Sequence, residues 1–203
     1  MNKTKWLAIP NKYVEDEEKN EKEECTHLEF SQDTYDIYFN GNIVEDDGVI
    51  FETIIDDMKN REGNFTELNI HLNSYGGSLT ATLSVMAQIE ELQNEGIVVN
   101  GFAKTKCMSG ACMILLCCTN RYARKYSRLM YHPPLLTSNE YLSVADLKDL
   151  ISIIENDWVH MKKQLLEKTK LTEKRINKIF KDAEDFSMTV EEAIEYGFID
   201  EMM

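Results

Sequence analysis

The sequence is short of metal ligands, of long apolar runs and of positive charge. It holds four histidines and five cysteines in 203 residues, with no CxxC pair. Four of the cysteines, Cys107, Cys112, Cys117 and Cys118, crowd into one stretch whose spacing does not match the usual zinc ligands, so no metal is expected. Buried free thiols in a reducing compartment fit them better. The opening residues, MNKTKWLAIPNK, contain no apolar run of signal-peptide length. No stretch approaches the roughly 20 apolar residues of a membrane span. A cytoplasmic chain with no membrane contact is therefore expected. Lys and Arg number 22 against 36 Asp and Glu, a net charge of −14, which argues against a nucleic-acid surface and against acidic lipid heads. Neither GxxxxGK[ST] nor GxGxxG is present, and there is no internal repeat.

What is present suits one domain. Residues 1–30 read as a peripheral acidic arm, with EDEEKNEKEE at 15–24 as a solvated low-complexity run. Residues 31–203 read as the folded domain. Aromatic and β-branched residues at 35–39 predict a strand that ends at Asn40-Gly41. Helical spacing predicts helices over 48–61 and 79–94, with strands over 67–72 and 97–102 between and after them. The apolar segment 109–118 predicts a buried helix, and 128–131 a short strand. A long helix is expected over 143–168 with Ser143 as N-cap, and a shorter one from Thr172 to about residue 181. The last elements are a helix over 190–196 capped by Gly197 and a strand over 198–200. Alternating strands and helices give an α/β class with a mainly parallel sheet.

Three segments carry chemistry. In Asn73-Ser74-Tyr75-Gly76-Gly77-Ser78 a strand enters, two glycines turn and a helix leaves. Amides exposed there suit a developing negative charge, as in an oxyanion hole, and a plain strand-to-helix turn is the alternative. Ser109 stands between a strand and the buried helix, either as a nucleophile lifted on a turn or as an ordinary N-cap. His132 ends a strand and is followed by Pro133-Pro134, a fixed backbone for a general base, or simply a loop histidine. Its rival His71 alternates away from Leu68, Ile70 and Leu72 and should face the other side of its strand. Spacing alone selects no acid among Asp182, Glu184 and Asp185.

These residues together resemble the caseinolytic peptidases, ClpP, and especially their phage head-maturation relatives, over about residues 35–200. IYFNGNI at 37–43 resembles the family's opening strand. NSYGGS resembles NSPGGS with tyrosine for proline, SRLMYHPP at 127–134 resembles SRVMIHQP, and EAIEYGFID at 192–200 resembles the family's EAxxYGLID ending. The resemblance implies a ClpP/crotonase-like repeated β-β-α superhelix with a protruding handle helix at about 143–168, its Trp158 and neighbours forming an interface.

The resemblance also implies roles. Ser109 would be the nucleophile, His132 the base, and Asp185, seven residues before Glu192, the acid. Gly77 and Gly110 would give the oxyanion N–H groups. A longer family spacing makes Cys107 the alternative nucleophile. The family's ring-linking arginine is replaced by Glu184, and its glutamine after the histidine by Pro133. The implied protein is a serine endopeptidase, itself independent of ATP and without cofactor, cleaving polypeptides inside a homo-oligomeric chamber. That chamber would be a heptameric ring or double ring, with an AAA+ unfoldase or phage capsid proteins as partners. A catalytically silent ClpP-like subunit or scaffold, and a crotonase-type acyl-CoA enzyme, are the other classes.

Overall fold

The computed structural model describes residues 27–31, 35–60, 65–135 and 141–203. The acidic run at 15–24 lies outside the described residues. Strand β1 (His27–Ser31), at the end of the stretch expected to be an arm, pairs antiparallel with β2 (Asp36–Ile43). From β2 the sheet continues through β3 (Glu67–Gly77), β4 (Val98–Met108), β5 (Asn120–Ala123) and β8 (Glu201–Met202), each parallel to its neighbour. Two strands branch from this path. β6 (Arg128–Tyr131) pairs parallel with the end of β4, and β7 (Phe186–Met188) pairs antiparallel with β6.

The two faces of the sheet differ because successive side chains point opposite ways. Leu68, Ile70 and Leu72 of β3 are buried on the inner face. There they meet helices α1 (Asp47–Lys59), α2 (Leu79–Asn94) and α3 (Gly110–Cys117). Helix α2 starts where the sequence places it, because the Ser78 hydroxyl accepts from the Ala81 N–H. Every residue of α3 is buried. A helix that is apolar all round needs cover all round, and the sheet, α2 and α4 (Val144–Lys168) supply it. On the outer face Tyr38, His71, Phe102 and Tyr122 stack in one row across four strands, with successive ring centroids 4.4, 4.9 and 5.1 Å apart.

Helix α4 opens with a capping box between Ser143 and Asp146. Its C-terminal part packs on the domain through Trp158, Met161 and Leu165. Trp158 stacks on Phe180 of α5 (Glu173–Lys181) with centroids 4.5 Å apart, so it is core and not the interface residue that the handle comparison implied. The N-terminal part of α4 leaves Val144, Leu147 and Ile151 exposed. Helix α6 (Val190–Tyr196) ends at Gly197, which takes φ +80°.

Arg121 clips these ends to the sheet. Its Nε and Nη2 donate to the Asp200 carboxylate at 3.1 and 2.6 Å, and its Nη1 to the carbonyls of Lys168 and Gly197 at 3.0 and 2.7 Å. Asp200 is therefore consumed by the clip, and the last strand is Glu201–Met202 rather than the expected 198–200. Among the described residues no helix is long and apolar enough to cross a membrane.

Candidate active site

Strand β4 runs beyond its expected end, through Lys104-Thr105-Lys106 to Met108, and delivers Ser109 to the mouth of a cavity of about 480 Å³. Ser109 has φ +52° and ψ −125°. A non-glycine residue held there costs about 1–3 kcal/mol, a strain that tends to gather at functional turns. The surroundings over-determine it. The Ser109 N–H donates to the Met130 carbonyl at 2.8 Å, and the Ser109 carbonyl accepts from the Cys112 N–H at 2.9 Å as α3 begins. The hydroxyl makes no capping bond, so the plain N-cap alternative is absent here.

β6 ends at Tyr131, and the next residue, His132, lines the same cavity. The imidazole Nδ1 lies 2.6 Å from the Pro133 carbonyl oxygen. A carbonyl cannot donate, so Nδ1 carries the hydrogen, and in the neutral ring Nε2 keeps its lone pair. That is the tautomer a general base needs.

Gly77 and Gly110 both line the cavity. Gly110 is the first residue of α3, whose opening N–H groups have no intrahelical acceptor. The glycine pair is sterically required. A Cβ on Gly76 would stand 2.6 Å from the Ser109 Cβ and 2.8 Å from the Gly110 nitrogen, and one on Gly77 only 2.0 Å from the Ile43 carbonyl oxygen. Both glycines have positive φ, +92° and +151°. The buried Ser74 hydroxyl accepts from the Gly76 N–H at 3.0 Å and fixes the turn. This turn is the end of β3 rather than a loop after it.

Asp185 is exposed, just before β7. The β6–β7 register pairs Tyr131 with Phe186. His132 and Asp185 each stand one residue beyond that last pair. Among the described residues Nδ1 of His132 is nonetheless held by Pro133 and not by this carboxylate.

Residues 35–203 match the Clp protease family. The chain belongs to that family. It is 30% identical over 175 residues to the ATP-dependent Clp protease proteolytic subunit 2 of Thermobifida fusca (strain YX), covering 82% of this chain and 80% of the relative. It is 33% identical over 140 residues to the subunit of the same name from Chlamydia trachomatis serovar D, covering 68% of this chain and 65% of the relative. The counterpart from Nocardia farcinica is 30% identical over 139 residues, again covering 68% and 65%.

Within this Clp protease fold the remaining candidates separate. Cys107 is wholly buried among Cys112 and Cys118, and burial pushes its thiol well above the usual range. His71 sits on the outer face with Nε2 2.7 Å from Asp36 Oδ1, as the strand alternation requires. Burial lowers its pKa despite that carboxylate, and it does not line the cavity. Glu184, in place of the family's ring-linking arginine, is engaged within its own chain. Arg175 donates to both its oxygens at 2.5 and 2.7 Å and holds its carboxyl below the usual range.

Four apolar lining residues were not singled out beforehand as site residues: Leu79, Met113, Leu135 and Met161. Met161 reads in the sequence as one more core position of a long helix, and nothing there marks it as part of a site. The role of the Pro133 carbonyl is a backbone property with no sequence signal beyond the double proline.

Proposed function

We propose that the chain is a serine endopeptidase in which Ser109 attacks the peptide carbonyl, His132 takes and returns the proton, and Asp185 orients the imidazole. The observation that carries this reading is the strained turn at Ser109, φ +52°, in one cavity with His132. The amides of Gly77 and Gly110 would receive the oxyanion. Losing one such donor typically costs about 3–4 kcal/mol of transition-state stabilisation. The burial of Cys107 favours Ser109 over it as the nucleophile.

The relatives' name describes proteolytic subunits of an ATP-dependent protease. The chain has no phosphate-loop motif, so ATP would be used by a separate unfoldase partner. The exposed apolar residues at the start of α4 support a homo-oligomeric chamber built on that helix. A heptameric ring or double ring, in a reducing cytoplasm where the buried thiols persist, completes the proposal.

A second reading, an unreactive subunit, is favoured by the hydrogen bond that holds His132 to Pro133 instead of Asp185. A fluorophosphonate probe separates the two. Labelling of the wild type at Ser109, lost in Ser109→Ala and kept in Cys107→Ala, is the expected result. Absence of labelling in the assembled wild type would leave the unreactive subunit.

A further inference from the structure

The cavity that holds Ser109 and His132 has apolar walls in Leu79, Met113, Leu135 and Met161. His132 is the only ionisable side chain among its lining residues. A second charge nevertheless stands at its edge, through Ser78. The Ser78 hydroxyl donates to Glu45 Oε2 at 2.5 Å and accepts from the Ala81 N–H at 3.2 Å. The one hydroxyl proton is thereby committed, and Glu45 is drawn against a residue of the cavity wall.

The backbone that carries Glu45 is fixed. β2 ends at Ile43, whose carbonyl accepts from the Ser78 N–H at 2.8 Å. The turn that follows is closed by two bonds. The Val44 N–H donates to Asp47 Oδ2 at 2.8 Å, and the Asp47 N–H donates to the Val44 carbonyl at 3.1 Å. Asp47 is buried, so this turn is anchored in the domain. The end of β2, the glycine turn and Glu45 therefore keep one arrangement.

Glu45 has bonding capacity to spare. A carboxylate offers about four lone-pair sites, and Ser78 fills one. No lysine or arginine pairs with Glu45 among the described residues. The side chain is exposed. Its place relative to the reaction follows from Gly77, the residue before Ser78 and a donor of the proposed oxyanion hole. An extended substrate advances about 3.4 Å per residue, so a side chain that reaches Ser78 belongs within about two residues of the scissile carbonyl. A cation there meets an unpaired carboxylate, and an anion is repelled by it.

We propose that Glu45, held at the cavity rim by Ser78, is a specificity-determining residue that selects a lysine or arginine side chain of the polypeptide substrate close to the scissile bond. This rests on reading the cavity as a peptidase site and adds the charge of the substrate to that reading.

The test offers assembled particles a series of quenched fluorogenic peptides. Lysine or uncharged norleucine stands in turn at each position flanking the cleaved bond. Lysine should be preferred at one position by about three- to fivefold in kcat/KM, the upper range for a solvent-exposed ion pair. Glu45→Gln should abolish that preference, and Glu45→Lys should transfer it to glutamate at the same position. Glu52→Gln removes the same charge from an exposed site on α1 and should leave the preference intact. That control matters because a net charge of −14 attracts cations without regard to position. Binding of the same peptides to Ser109→Ala particles, followed by fluorescence anisotropy, separates this proposal from the peptidase reading. Lysine-selective binding with no hydrolysis by the wild type would remove the peptidase and keep the subsite. Hydrolysis without a positional preference, or a preference unchanged in Glu45→Gln, would overturn the role of Glu45. Neither binding nor hydrolysis would overturn both.

Discussion

Tyr131 faces Phe186 in the last antiparallel pair of β6 and β7, so His132 and Asp185 each stand one residue beyond the paired ends of their strands. Asp182 lies three residues earlier, at the C-cap of α5, and is exposed. Asp185 is the acid of our proposal, and Asp182 is its control. Asp185→Asn should lower kcat by about 10³–10⁴-fold, the loss expected when an imidazole is held in the wrong tautomer. Asp182→Asn should change it less than twofold. Steady-state hydrolysis of a fluorogenic peptide measures both. Near-normal turnover in Asp185→Asn would mean that the Pro133 carbonyl, 2.6 Å from Nδ1, suffices to orient the base.

Helix α4 divides into a part that packs at home and a part that does not. Trp158, Met161 and Leu165 are buried, whereas Val144 is 70% and Ile151 53% exposed. With Leu147 and Ile154 between them, these residues recur at alternating steps of three and four, the spacing of one continuous seam. Leu147→Glu with Ile151→Glu should leave the melting temperature within a few degrees of wild type and cut the sedimentation coefficient. Trp158→Ala should instead destabilise the subunit by about 3–5 kcal/mol, because it empties a packed site. An unchanged sedimentation profile in the double variant would place the assembly contact elsewhere.

Much of this was legible in the sequence where local signals agreed. Ser78 as a cap followed by apolar residues at helical spacing marks α2 correctly from Leu79 to Asn94. The apolar run after Ser109 marks α3. The elements that escaped are short or polar. β5 is Asn120–Ala123, with no apolar alternation to reveal it, and β7 is three residues long. The extension of β4 escaped because Lys104-Thr105-Lys106 reads as a loop, although its backbone pairs with β3 and β6. The geometry of the site was the least legible part. A positive φ at Ser109 is not encoded in a serine, since the Met130 carbonyl and the start of α3 impose it from outside the segment. No local signal marks Asp185 either, since Asp182, Glu184 and Asp185 stand within four residues of one another.

The cysteines give the last prediction. Cys107, Cys112, Cys117 and Cys118 are free and buried. Burial pushes the thiols of Cys112 and Cys117 from 9.0 up to about 12, and raises those of Cys107 and Cys118 as well. The folded chain therefore keeps these protons to higher pH than the unfolded chain does. Their contribution to stability is complete below pH 9 and is lost as pH rises from there towards 12. Each thiol contributes a slope of up to about 1.4 kcal/mol per pH unit in that window. Urea midpoints under reducing conditions should fall as the pH rises from about 8.5 to about 10. Cys112→Ala with Cys117→Ala should show a shallower fall than wild type, whatever its stability at the lower pH. Equal slopes in the two proteins would assign the alkaline loss to other groups. The same burial predicts that iodoacetamide at about pH 8 leaves these thiols unmodified until urea opens the fold. Rapid alkylation of Cys107 in the native protein would return it to contention with Ser109 as the nucleophile.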